Sequence, residues 1–165
     1  MRAAGSTILR QVNDMKVASG IVAFALVFAL VSGAEAQIGK PEKIAAGQAT
    51  TMMQQLAGNQ ALDLSQVFIA RVTIDGTRRD LTSLKPEILG HSGEGEKIAM
   101  SVARIEKEKS ELILFTLNPG NGAGSRLVIP LAALEKKPQF SFPIVNEDGT
   151  VSPRKFEVLD YRHLP

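Results

Sequence analysis

The chain has 165 residues, with 19 Lys and Arg against 17 Asp and Glu, and it contains no cysteine. The lack of cysteine excludes a disulfide scaffold, a thiolate metal site, a covalently attached haem and an N-terminal lipid anchor. The near balance of charge argues against a nucleic-acid partner, because such binding needs basic residues concentrated on one surface.

The first 36 residues have the order of a secretory signal peptide. Basic residues precede an apolar run from 21 to 31, and the small-residue triplet Ala34-Glu35-Ala36 follows it. This order predicts a leader over 1–36 and export to the periplasm or the outside of a bacterial cell. A retained anchor, which would bring membrane contact, is the alternative, although the apolar run falls short of the roughly 20 residues that cross a bilayer. Met15 is an alternative start of the leader.

A short helical segment is predicted directly after the leader, over residues 37–61. Pro41 suits a first helical position, and apolar residues then recur at spacings of three and four until Leu56, before Gly58 ends the pattern. One amphipathic helix over 41–57 follows from this. Its face, rich in Ala and Met, predicts packing on the domain itself, with docking on a partner protein as the alternative.

The remainder, 62–165, is predicted to be a β-rich domain, because strand patterns alternate with turn residues throughout it. Strands are expected at about 67–74, 78–84, 97–105, 112–117, 126–129, 140–145 and 155–161, with a short helical turn near 131–136. The run 112–117 is apolar on both faces, which predicts a central strand, and Pro143 makes 140–145 an edge strand. The predicted fold is mainly β, an antiparallel sandwich or small barrel of about seven strands preceded by one short amphipathic helix.

The glycine-rich loop 118–125 is the first candidate binding site. Glycines allow backbone amides to approach an anion, and Asn118 and Asn121 add polar side chains. The loop lacks the Lys-Ser/Thr ending of a nucleotide-binding loop, and a strand follows it where a helix would be needed. A plain hairpin connection therefore explains it more simply than a ligand site.

The loop 90–96 is the second candidate, because it places His91 and Ser92 beside two carboxylates, Glu94 and Glu96. A nucleophilic serine on a strand-to-helix turn needs the pattern G-x-S-x-G, which is absent here. A metal site would need ligands held in fixed geometry, and the flanking glycines leave these residues unorganised. The prediction is a solvated loop, with no catalytic residue, no metal ligand and no cofactor.

These observations predict an exported, non-catalytic protein-binding or assembly module of the cell envelope, whose partner is another envelope or extracellular protein. Strand addition at the predicted edge 140–145 is the expected mode of docking. The alternative is a small-ligand carrier that uses the sheet interior and the loops 90–96 and 118–125. A third hypothesis is a hydrolase or metal-dependent enzyme built on His91 and Ser92.

Overall fold

Two antiparallel β-sheets packed face to face make up the fold in a computed structural model, which describes residues 38–58, 61–93, 98–118 and 120–165. The first sheet has the order β1-β7-β6-β5-β4, with strands β1 Glu42–Ile44, β4 Glu87–Ser92, β5 Ala99–Glu106, β6 Glu111–Leu117 and β7 Gly124–Pro130. The second has the order β3-β2-β9-β8, with strands β2 Val67–Ile74, β3 Thr77–Thr82, β8 Gln139–Val145 and β9 Val151–Leu164. The helices are α1, Ala46–Ala57, and α2, Leu131–Leu134. The predicted mainly β, sandwich-like fold is confirmed, and the predicted leader lies outside the described residues.

The two strands that the sequence did not predict are β1 and β4. The predicted start of the helix at residue 41 is wrong, because residues 42–44 are extended and pair with β7, and α1 begins only at Ala46. An ion pair of 2.7 Å between Arg126 and Glu42 joins the side chains of this pairing. Proline at 41 has a backbone φ that suits an extended chain as well as a first helical turn, so the local pattern did not separate the two.

The predicted loop at 90–96 is wrong in its first half. Gly90, His91 and Ser92 belong to β4, which pairs with β5. Residues 94–96 lie outside the described part of the chain. Gly90, one of the glycines that indicated a loop, instead allows the backbone of β4 to lie close to the neighbouring strand β8.

The predicted central strand is confirmed, since β6 lies between β5 and β7 and its residues from 112 to 116 are buried. One face of β6 presents Leu112 and Leu114 to the core between the two sheets. The other face presents Ile113 and Phe115 to a second apolar cluster beneath α1. Burial on both faces explains the unbroken apolar run.

The helix α1 packs on the domain itself, as predicted. Its buried residues Ala49, Met53 and Leu56 follow helical spacing and join the apolar cluster on the outer face of the first sheet. Arg104 of β5 fixes the end of the helix, because its Nη1 donates hydrogen bonds to the carbonyl oxygens of Gln55 at 2.6 Å and Leu56 at 3.0 Å. Within the described residues, neither helix has the length and apolar character that a membrane crossing requires.

Candidate functional site

A groove of about 950 Å³ lies between β4 and the two hairpin turns at one end of the second sheet. The turn between β2 and β3 contributes Asp75 and Thr77, and the turn between β8 and β9 contributes residues 146–148. Apolar side chains from both sheets line it, among them Leu89 of the first sheet and Ile74 and Ile144 of the second. The groove therefore combines apolar side chains with a few polar and charged ones, as binding clefts commonly do.

The strand β4 forms one wall of this groove with its edge. Its residues 88–91 all line the groove, although successive side chains of a strand point to opposite faces. β4 pairs with β5 on one side, and no strand of the described residues pairs with its other side. A bulge between Ile88 and Gly90 leaves Leu89 without a partner residue on β5. The backbone of β4 is thus exposed to the groove along its unpaired side.

Gly90 allows β4 to lie directly against the end of β8. A Cβ atom at this position would lie 2.2 Å from the carbonyl oxygen of Val145 and 2.9 Å from Cγ2 of Ile144. Any side chain would therefore collide with backbone atoms. Gly90, Ile144 and Val145 all line the groove, so the two sheets are in close contact at this point of it.

A hydrogen-bonded network holds together the two turns that face β4. Arg154 Nη1 donates to Asp75 at 2.9 Å, and Arg154 Nη2 donates to the side-chain oxygen of Asn146. Asp75 also accepts a hydrogen bond from the backbone of Lys155, and this bond together with Arg154 lowers the pKa of the Asp75 carboxyl. Both turns are consequently fixed relative to one another, which keeps the rim of the groove in place.

The turn between β8 and β9 carries its own internal hydrogen bonds. Asp148 accepts hydrogen bonds from the backbone and the hydroxyl of Thr150, and these lower the pKa of the Asp148 carboxyl. Glu147 and Asp148 have exposed side chains. The turn therefore presents two acidic side chains at one end of the groove.

Of the residues that the sequence singled out, His91 lines the groove and Ser92 anchors it. Ser92 Oγ donates a 3.0 Å hydrogen bond to the backbone carbonyl of Glu147, so it ties the end of β4 to the turn. His91 and Ser92 are neighbours on a strand, which directs their side chains to opposite faces. The serine hydroxyl is thus committed to a structural bond, and its hydrogen-bond partner is a backbone carbonyl and not the histidine.

Asn118 and Asn121 lie apart from the groove, in the connection between β6 and β7. The Asn118 backbone donates to the carbonyl of Ala123 at 2.7 Å, and the Asn121 side chain accepts from the Ala123 backbone at 2.9 Å. These bonds close the hairpin turn locally. The structure does not bring the two asparagines together with His91 and Ser92 in one site.

No group of three or more His, Cys, Asp or Glu side chains suited to a metal ion occurs in the part of the chain that the structure describes. Glu94 and Glu96 lie outside that part, so the structure does not test the alternative in which His91 and these carboxylates hold a metal ion.

The strand β8, predicted as a docking edge, lies at the edge of its sheet, and two of its outward backbone groups already have partners. Val145 N–H donates to Ser101 Oγ at 2.9 Å, and Thr116 Oγ1 donates to the Pro143 carbonyl at 2.6 Å. Ser101 and Thr116 are fully buried, and their hydroxyl oxygens lie 2.8 Å apart. Each hydroxyl has one proton, so Ser101 donates to Thr116 and the bonds form a directed chain. Strand addition over Pro143 to Val145 would have to break it.

Comparison of the chain with protein-family models, with curated proteins and with solved structures finds no match.

Sequence reasoning missed most of the groove, including Asp75, Asn146 and Arg154. Each of the first two lies at a hairpin turn, where Asp and Asn are expected for conformational reasons alone. The signal in the sequence was two hairpin-turn motifs, Asp-Gly at 75–76 and Asn-Glu-Asp-Gly at 146–149. The first follows β2 and the second precedes β9, and these two strands are neighbours in the sheet. Antiparallel neighbours of this kind bring both turns to one end of a sheet.

Proposed function

We propose that this protein is an exported, non-catalytic binding module of the cell envelope that accepts an extended segment of a partner protein along β4. The observation that carries the proposal is the unpaired edge of β4, which forms one wall of an open groove of about 950 Å³. Added strands gain main-chain hydrogen bonds from such an edge and specificity from the side-chain pockets beside it.

The other edge strands of the described residues are protected in ways that proteins commonly use. β1 is only three residues long. β3 carries exposed charged side chains at Arg78, Arg79 and Asp80. β8 has its backbone groups at Pro143 and Val145 bonded to buried hydroxyls. Comparison of these edges favours β4 as the acceptor.

The apolar surface beside β4 supports the same conclusion. Ile88 is 50% exposed although it lies within a strand, and Ile74, Met100 and Ile144 line the same groove. Covering a large apolar side chain contributes about 1.5 to 3 kcal/mol when burial is complete. A partner segment would therefore gain hydrophobic contacts as well as backbone hydrogen bonds.

The cellular location in this proposal rests on the leader pattern over residues 1–36, and the partner is accordingly another envelope or extracellular protein. The pattern supports export because basic residues, an apolar run and small residues follow one another in the required order. N-terminal sequencing of the protein from cells tests this part. A mature chain that begins at Gln37 is expected, and residues retained before it would show an anchored protein instead.

Crosslinking in cells tests the binding function. A photoreactive amino acid at position 91 is expected to crosslink a partner to the wild-type protein, and mass spectrometry then identifies the crosslinked segment. Ile88→Lys should abolish the crosslink, because it places a charge in the apolar part of the groove. Ile98→Lys is the matched control, since Ile98 is 44% exposed and does not line the groove. A crosslink that survives Ile88→Lys, or no crosslink at all, would contradict the proposal.

A small-ligand carrier is a second candidate, and the volume of the groove favours it, because about 950 Å³ is within the range of ligand pockets. The space between the sheets is filled by the apolar core, so such a ligand would use the groove and not the sheet interior. Native mass spectrometry of the protein purified from cells distinguishes the two. A bound small molecule that Ile88→Lys removes would favour the carrier.

A further inference from the structure

The charges along the groove are distributed unevenly. Asp75 is paired with Arg154 at 2.9 Å, and Arg79 is paired with Glu87 at 3.5 Å. Each of these pairs is neutral overall. The Arg79–Glu87 pair lies where β3 meets the start of β4, and the Asp75–Arg154 pair links the β2–β3 turn to Asn146.

Glu147 and Asp148 differ from these pairs, because neither has an ion-pair partner among the described residues. Both line the groove and both are exposed. The bond from Ser92 Oγ to the Glu147 carbonyl places them beside the last residue of β4. The groove therefore has a net negative charge at the end where β4 finishes.

The apolar part of the wall formed by β4 is at Ile88 and Leu89, near the start of the strand. A strand placed beside β4 would direct every second side chain toward this wall. Its pairing would be short, because the bulge at Leu89 interrupts the ladder and because β4 has only six residues. Side-chain contacts would thus decide which segment binds.

We propose that the occupant of the groove is an extended peptide segment that runs antiparallel to β4, with Lys or Arg at its N-terminal end and apolar residues at alternate positions after it. The inference rests on the proposed function. The basic residue lies beside Glu147 and Asp148, because an antiparallel segment begins where β4 ends. Antiparallel pairing is the mode of every strand pair in both sheets and is slightly the more stable one.

Peptide selection tests this inference. A library of random decapeptides displayed on phage is selected for binding to the immobilised domain from residue 37 onward, which is the chain expected after removal of the leader. The wild-type protein is expected to enrich peptides with a basic residue near the N-terminal end, followed by alternating apolar residues. Synthetic versions of an enriched peptide are then measured by fluorescence anisotropy. Lys→Glu at the basic position should weaken binding about 5-fold, as expected for exposed ion pairs of up to about 1 kcal/mol, and added salt should reduce the difference.

Two variants assign the effect to the acidic turn. In the double variant Glu147→Gln, Asp148→Asn the Lys→Glu change in the peptide should alter affinity less than 2-fold, while the apolar preference remains. Glu108→Gln is the control, because Glu108 is exposed on the turn between β5 and β6, away from the groove. It should leave the 5-fold effect unchanged.

The outcomes separate this inference from the function beneath it. Peptides that are enriched with a basic residue at the C-terminal end, or with none, overturn the inference and leave strand addition at β4 standing if Ile88→Lys abolishes their binding. No enrichment on the wild-type protein, or enrichment that Ile88→Lys leaves intact, counts against both.

Discussion

Replacing Gly90 by alanine is expected to destabilise the protein by about 2 to 4 kcal/mol. The new Cβ atom would lie 2.2 Å from the Val145 carbonyl oxygen, whereas real Cβ atoms essentially never come closer than 3.0 Å to such an atom. Because backbone atoms lie on both sides of the contact, β4 has to move away from β8 by about 0.8 Å or more.

The magnitude follows from two contributions. Overpacking of a well-packed site costs typically about 1 to 3 kcal/mol, and contact between two backbones belongs at the upper end of that range. The same movement lengthens the 3.0 Å bond from Ser92 Oγ to the Glu147 carbonyl, and loss of such a bond costs about 0.5 to 1.5 kcal/mol. The two effects share one cause, so their sum is an upper value.

Urea unfolding followed by far-UV circular dichroism measures the change, with the slope of the transition as a check on two-state behaviour. Gly39→Ala is the matched control, because a Cβ atom at Gly39 would meet nothing within 4 Å. Its free energy of unfolding should match or slightly exceed that of the wild type. A Gly90→Ala protein within about 0.5 kcal/mol of the control, the range of ordinary surface substitutions, would refute the close approach of β4 to β8.

Three further substitutions test the supporting structure. Ser101→Ala leaves the Val145 N–H without an acceptor and should lower the free energy of unfolding by about 1 to 3 kcal/mol. Hydrogen exchange at the Val145 amide should become faster, and an unchanged exchange rate would contradict the directed hydroxyl chain. Arg104→Met removes the donor to the last carbonyls of α1 and should cost about 2 kcal/mol with a reduced helical signal in circular dichroism, so an unaltered helix would show that the arginine is dispensable. The pKa of Asp63 lies below its ordinary value of 3.8, chiefly because Lys107 donates a hydrogen bond to its carboxylate. NMR titration should therefore give Asp63 a midpoint below 3.8. Since the folded-state pKa is lowered, the contribution of Asp63 to stability is present above the ordinary value and is lost as the pH falls; Asp63→Asn should therefore show a shallower loss in acid, and an equal loss in both proteins would argue against the pairing.

Much of the fold was accessible from the sequence because its determinants are local. The strand β2 over Val67–Ile74 and the turn at Asp75-Gly76 follow from alternation and turn chemistry, and β6 from its double-sided apolar run. The edge position of β8 follows from Pro143, which has no N–H to donate to a second neighbour. In each case the residues of the element itself are sufficient to predict its structure.

The parts that were missed depend on contacts between distant segments. Residues 42–44 become a strand because they pair with β7, whose partner residues are 80 to 84 positions further along the chain. Gly90 is needed because Val145 lies against it, and an isolated glycine looks the same in a loop. Predicting the groove also depends on knowing which hairpin turns lie side by side, and the sequence does not give the strand order. From the sequence alone, Asp75 and Asn146 therefore resemble ordinary turn residues.

The hydroxyl chain that joins Ser101 and Thr116 to β8 has a consequence for stoichiometry. A filament built by strand exchange needs two complementary sides on every subunit, one that donates and one that accepts. In the described part of this domain the hydroxyl chain protects β8, and β4 is the edge strand that we propose as the acceptor. If β4 accepts a partner segment as proposed, each molecule should bind one such segment, and complexes of one-to-one composition are expected even at high protein concentration.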